Sequence, residues 1–119
     1  LEPLCRAQKL AVIPYYPLAS GFLTGKYRSE NDLSKSVRGA GVRKCFNQRG
    51  FRILAALDAV ALRLRSKPAA VALAWLLARP GITAPIVSAT SLRQWEELAA
   101  APGIRLDSSS IELLNRAGA

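Results

Sequence analysis

The chain contains no histidine and no methionine, and only two cysteines. Without histidine, and with Cys5 and Cys45 far apart, no zinc ligand set can be read from it. The same two cysteines lack a redox spacing, and no secretory leader is visible, so a reducing cytoplasm is the expected location. The absence of methionine from a sequence opening on Leu1 points to a fragment or the product of a truncated gene. Trimming of a short methionine-poor protein is the other reading. No apolar run approaches the roughly 18 residues of a membrane helix, because arginine and proline interrupt each one, so no membrane partner is expected. Acidic residues are scarce as well, 8 against 17 basic, for a net charge of +9. That balance raises nucleic acid or an anionic ligand as a partner. The cations are scattered from Arg6 to Arg116, densest between Lys26 and Arg52, and no run makes a basic tail. A solvated basic surface is the plain alternative.

What is present is half hydrophobic over 119 residues, enough for one domain with a core. Leu1 to Leu10 reads as the end of a helix. Leu10 to Ile13 then forms an apolar run of the kind found in a strand buried on both faces, extending over Ala11 to Tyr15. Pro14 is tolerable there only near the strand end, since it donates no ladder hydrogen bond. Tyr15, Tyr16 and Pro17 lead into a loop carrying Ser20, Gly21, Thr24, Gly25 and Lys26. Hydroxyls, glycines free to take positive φ and one cation make a reasonable phosphate cradle beside a flat aromatic surface. Taken without any outside comparison, core or surface aromatics and a solvated lysine are the simpler reading.

From about Tyr27 to Gln48 no period is visible, and Ser29 to Asp32 and Arg38 to Gly41 are loop chemistry. With Lys35, Arg38, Arg43 and Lys44, residues 27–48 read as a long basic loop or lid, or as a disordered insertion. Gly50 to Lys67 is the clearest helix, with Ile53, Leu54, Leu57, Val60, Ala61 and Leu64 on one stripe. Pro68 opens a second helix to Ala78, apolar almost all round and therefore buried. Thr83 to Ser88 reads as a second short strand. Ser91 and Gln94 have capping-box spacing ahead of a helix to about Ala100, and Ser109 and Glu112 repeat it before a last helix, Ser110 to Arg116. Strands alternating with helices predict an α/β fold with parallel pairing and a right-handed crossover. The N-terminus of the helix after Ser91 offers free N–H groups to an anion, although plain capping explains Ser91 and Gln94 equally.

The stretch IPYYPLASGFLTGKY resembles the seventh strand and following loop of the aldo-keto reductases, especially the subgroup that includes the potassium-channel β subunits. That family reads there roughly aromatic-Ser-Pro-Leu-Ala-x-Gly-x-Leu-x-Gly-Lys-Tyr. RGFRILAALDAVA, PAAVALAWLLARPGITAPIVSATS and QWEEL resemble its C-terminal third, so the likeness covers nearly the whole chain. It implies a partial (β/α)8 TIM barrel, a C-terminal fragment with two parallel strands and about five helices, spanning 1–119. The length is about half of the ~250 residues such a barrel needs.

The same resemblance implies an NADP site. Tyr15 matches the aromatic that stacks on the nicotinamide. Tyr16, where the family has a small serine, and Pro17, Leu18, Ala19, Ser20 and Lys26 match the pyrophosphate loop. Ser88, Thr90, Gln94 and Glu97 match Gly-Ala-Ser-x-x-x-Gln-x-x-Glu, the turn for the adenosine 2′-phosphate and adenine, with Leu98 in place of an asparagine. Arg93 is a candidate for the 2′-phosphate by proximity only. Hydride transfer from NADPH to a small aldehyde or ketone is implied for the parent enzyme. The family's Tyr, Lys, His and Asp set lies on earlier strands and is not matched, so no catalytic residue is assigned and the isolated chain is expected to be inactive. Open barrel edges imply self-association. The alternatives are a small basic helical nucleic-acid-binding protein, for which Arg52, Arg63 and Arg65 make a thin basic face, and a structural remnant without ligand.

Overall fold

Asn47 starts the longest helix, α3 (Gln48–Leu64), by accepting the Gly50 N–H on its side-chain oxygen at 2.8 Å, which satisfies one of the unpaired donors of the first turn. The computed structural model describes residues 1–119. Leu54, Leu57, Val60 and Ala61 of α3 are buried, as the helical stripe predicts, with Ile53 and Leu64 half-buried at its margins. Arg65 ends the helix in the left-handed conformation, and the Ser66 N–H returns to the Ala61 carbonyl at 2.8 Å, a common way to close a last turn.

Pro68 occupies the first turn of α4 (Pro68–Leu77), where its missing N–H costs nothing. Ala69 to Ala74 are buried without a break. A helix that is small and apolar on every side can be approached from every side. Accordingly α4 packs against α3 on one flank and against α5 (Leu92–Ala99) and the 3₁₀ turn Ala101–Gly103 on the other. The last helix, α6 (Ser108–Gly118), lies along α3. Arg49 and Arg52 at the start of α3 donate to the carbonyls of Ala117, Gly118 and Ala119, and Arg63 at its end donates to Ser109 and Ser110. The two helices therefore run antiparallel, with cations on the carbonyl end of α6. Asp107, not Ser109, caps α6, accepting the Ser110 N–H at 2.8 Å. Two shorter helices, α1 (Glu2–Ala7) and α2 (Gly39–Val42), complete the set.

The main core joins Phe22, Tyr27 and Val42 to α3, α4 and α6. A smaller cluster, Ala69, Ala70, Leu73, Leu98 and Ala101, lies on the far flank of α4. Residues 27–48, read as structureless from the sequence, hold a 3₁₀ turn at Glu30–Lys35, then α2, then a 3₁₀ turn at Arg43–Cys45. Each is too short to show a hydrophobic period.

The α/β expectation is overturned: no residue lies in a strand or sheet, so the two parallel strands and the partial (β/α)8 barrel are absent. The two segments do touch. The Thr83 N–H donates to the Val12 carbonyl at 2.9 Å and the Ile86 N–H to the Pro14 carbonyl at 3.0 Å. The pairing advances in the same sense along both. The rungs between these contacts would need amide hydrogens at positions 14 and 85, and both are proline. The Val12 N–H turns instead to the Thr83 hydroxyl at 3.0 Å.

Candidate functional site

The loop after Tyr15 is built on unusual backbone. Tyr16, Ala19 and Ser20 have φ of +53°, +50° and +58°, and Gly21 and Gly25 follow at +98° and +81°. For residues bearing a Cβ this region costs about 1–3 kcal/mol each and concentrates at ligand clamps. The turn Ala19–Thr24 is closed by the Leu23 N–H on the Leu18 carbonyl, and by the Thr24 hydroxyl on the Gly21 carbonyl at 2.7 Å. Phe22, only 2% exposed, anchors it in the main core against Phe46 and Phe51. Tyr15 and Tyr16 are 74% and 61% exposed, with ring centres 5.1 Å apart. They are surface rings, available to a flat ligand. Pro17, Leu18, Ala19 and Ser20 are half-buried.

Three cations on this stretch have different fates. Lys35 pairs with Asp32 at 2.8 Å. Arg28 forks onto Asp58 of α3, with two N–O distances of 2.9 Å. Lys26 forms no ion pair; its stem crosses Gly21 and its ammonium lies 5.1 Å from the centre of the Tyr27 ring. It remains exposed. A lysine, hydroxyls and a left-handed loop are donors that fit a phosphate-bearing group.

Asp32 holds the exit from this loop. Its carboxylate pairs with Lys35 and accepts the N–H groups of Arg28 at 2.8 Å and Ser29 at 3.1 Å. The Lys35 contact, then the Arg28 N–H, lower its pKa from 3.8 to about 2. Since the folded value lies below the unfolded one, the stabilisation is complete above pH 3.8 and is lost as pH falls towards 2. A carboxyl-carbon NMR titration is expected to place the Asp32 midpoint near pH 2. A midpoint at the ordinary carboxylate value would show that the turn is not held by this cap.

In the second loop Ser91 caps α5, its hydroxyl accepting the Gln94 N–H at 3.2 Å. The Gln94 side-chain oxygen accepts from the Thr90 N–H at 2.8 Å and from the Thr90 hydroxyl at 2.9 Å. This is capping reciprocity reaching one residue further back than the usual box. Glu97, half-buried, receives Arg93 Nε at 3.4 Å, one turn away. Ser88, Thr90 and Gln94 are exposed. So Thr90 with Gln94, and Glu97 with Arg93, are brought together directly. No hydrogen bond or ion pair joins this loop to Tyr15–Lys26. What the two share is a floor: Leu18 from the first, and Val87 and Ala89 from the second, all pack on the Ala69–Leu73–Leu98 cluster of α4 and α5.

Sequence reasoning missed Tyr27, Arg28 and Asp58. Tyr27 is fully buried with its hydroxyl on Ser36, and the Arg28–Asp58 pair spans α3 and the loop, which no local spacing could announce. A hollow of about 690 Å³ lies elsewhere, between α3, α4 and α6. Of the sequence-predicted site residues only Pro17 and Ala19 reach it. No three Cys, Asp or Glu side chains are grouped for a metal ion. No helix is long and apolar enough to cross a membrane.

Comparison with known proteins bears on this arrangement. The model of the aldo/keto reductase family matches residues 1–119. The chain is 40% identical to "Uncharacterized oxidoreductase Rv2298" of Mycobacterium tuberculosis over 98% of its own length and 36% of that protein's. It is 32% identical to "Uncharacterized oxidoreductase YrpG" of Bacillus subtilis, over 95% of the chain and 33% of the relative. It is 25% identical to "Aldo-keto reductase yakc [NADP(+)]" of Schizosaccharomyces pombe, over 95% of the chain and 34% of the relative. The chain thus spans about a third of the length of the curated relatives it matches. With the family match running from the first residue to the last, the chain belongs to the aldo/keto reductase family.

Proposed function

We propose that this chain is the cofactor-contacting portion of an NADP-dependent aldo-keto reductase whose whole reaction reduces a small aldehyde or ketone. In this reading the exposed ring of Tyr15 takes the nicotinamide. The loop of Tyr16, Pro17, Leu18, Ala19 and Ser20, with the Lys26 ammonium, takes the pyrophosphate. Ser88, Thr90, Gln94 and Glu97 take the adenosine 2′-phosphate end. NADPH, when bound, supplies the hydride; the chain's own residues bind and orient. One observation carries the reading: both candidate loops rest on one buried cluster, Leu18 from one side and Val87 and Ala89 from the other. A shared rigid floor lets two separate loops grip one extended ligand. The Gln94 oxygen is already committed to Thr90, so its part is to fix the shape of the second loop.

The chain has no histidine, and no tyrosine in it is assigned as general acid, so by itself it is not expected to turn over a carbonyl substrate. Binding is the property to test. NADPH titrated against the chain and against a Lys26→Ala, Gln94→Ala double variant should show at least about a tenfold loss of affinity, since a charge-assisted phosphate contact is worth roughly 1.5–3 kcal/mol. Equal affinities for the two proteins would remove both loops from the site.

A further inference from the structure

We propose that Arg28 and Asp58 form a positioning pair that ties the Ala19–Lys26 loop to α3 and so holds it in its ligand-binding shape. The inference rests on the cofactor reading above and adds to it the device that fixes the loop. Arg28 makes three side-chain contacts at once. Its Nε donates to the Gly25 carbonyl at 2.7 Å, and its two terminal nitrogens donate to the two carboxylate oxygens of Asp58, each at 2.9 Å. One guanidinium therefore links the last residue of the left-handed turn to the middle of the longest helix. A fork of this kind fixes direction as well as distance, which a lysine cannot do.

The anchor point is rigid. Asp58 follows Leu57 and is one turn from Leu54, both buried in the main core. The loop end is shaped to receive the arginine. Gly25 takes φ +81°, and a Cβ there would stand 2.5 Å from Arg28 Nη2, so the guanidinium lies against a bare α-carbon. The backbone N–H of Arg28 is meanwhile held by Asp32 at 2.8 Å. The strained residues Ala19 and Ser20 lie only a few positions upstream, and a loop held in a sparsely populated conformation needs surroundings that over-determine it. The cations on this stretch thus divide their work: Arg28 and Lys35 are neutralised by carboxylates, while Lys26 is left with its charge available.

The test uses the full chain with Arg28→Lys, which keeps the charge and loses the fork, and Asp58→Asn, which keeps the shape and loses the charge. Amide hydrogen exchange is read across Ser20–Gly25, alongside binding of NADPH and of adenosine 2′-monophosphate, which lacks the pyrophosphate and carries only the end assigned to Ser88–Gln94. Both variants should exchange roughly fivefold faster in Ser20–Gly25, while α3 and the helical melt stay unchanged. NADPH should weaken by a similar factor and the 2′-monophosphate not at all. Unchanged exchange in both variants would overturn the pair, and so would equal losses for both nucleotides, which would mark a general loosening. If the unmodified chain binds neither nucleotide, the cofactor reading falls, and the exchange measurement alone decides whether Arg28 and Asp58 hold the loop.

Discussion

Gly50→Ala is expected to destabilise the chain by roughly 1–3 kcal/mol or more, although alanine normally favours a helix over glycine by about 1 kcal/mol. Gly50 is buried at the third position of α3, with its N–H on Asn47. A methyl group there would overlap the carbonyl oxygen of Cys45 and press within 3.2 Å of the Phe22 ring. The first obstacle is backbone, so relief requires moving either the 43–45 turn or the start of α3, and Phe22 stands between that junction and the candidate phosphate loop. Gly41→Ala is the control, because nothing lies within 4 Å of a Cβ at that position; it should be neutral or mildly stabilising. Urea unfolding of both variants measures the contrast. A Gly50→Ala midpoint at or above that of the parent would mean that the close approach to Cys45 does not exist in solution.

Tyr27→Ala should cost still more, about 3–5 kcal/mol, the range for deleting a large buried aromatic. The ring is 0% exposed and packs in the main core, and its hydroxyl is bonded to Ser36. Removing it opens a cavity and takes from the Ser36 hydroxyl one of its two partners, leaving it the Arg38 N–H at 3.3 Å. Domain stability is only about 5–15 kcal/mol, so a chain at the low end of that range would be largely unfolded. Tyr27→Phe isolates the polar part and should lose about 1 kcal/mol. If Tyr27→Ala loses less than about 2 kcal/mol by urea unfolding, well below the range for a core aromatic, the segment after Lys26 is not docked as described. Because Tyr27 follows Lys26 directly, its removal should also loosen the loop that Arg28 restrains from the other side.

The helices were legible because each carries its own instructions. The stripe from Ile53 to Leu64, the proline at position 68 and the serine at position 91 act within one or two turns, and the structure places α3, α4 and α5 within a few residues of those signals. The start of α6 was misjudged because Asp107 and Ser109 both have side chains able to cap it, and the carboxylate nearer the turn takes the Ser110 N–H. The strands were misread for a different reason. Leu10–Ile13 and Thr83–Ser88 have the apolar character of buried strands, but a ladder depends on donors at particular rungs, and the two prolines fall on those rungs. Ile13 and Ile86 are 51% and 58% exposed.

At the candidate site the loop residues were readable because they are contiguous, from Tyr15 to Lys26 and from Ser88 to Glu97. The contacts that shape those loops were not. Asp58 reaches Arg28 across 30 positions, Leu18 meets Ala89 only through the floor on α4, and the left-handed backbone at Ala19 and Ser20 occurs at residues with no intrinsic preference for it. A one-dimensional pattern carries local propensity and period, not the closure of distant segments.

The prolines at positions 14 and 85 also govern what can dock on this side of the molecule. Two neighbouring extended segments with exposed isoleucines would ordinarily recruit further chains by backbone pairing, the route to edge-to-edge aggregation. Here the amide hydrogens at positions 14 and 85 that would join the two segments to each other are missing, and the Val12 N–H is taken by the Thr83 hydroxyl, so the two segments do not form the regular ladder whose edge a further chain would extend. The prolines act as gatekeepers. Ile13 and Ile86 stay exposed, and without a regular ladder beside them the surface they offer favours an occupant that fits their side chains over one that adds a strand by backbone pairing alone.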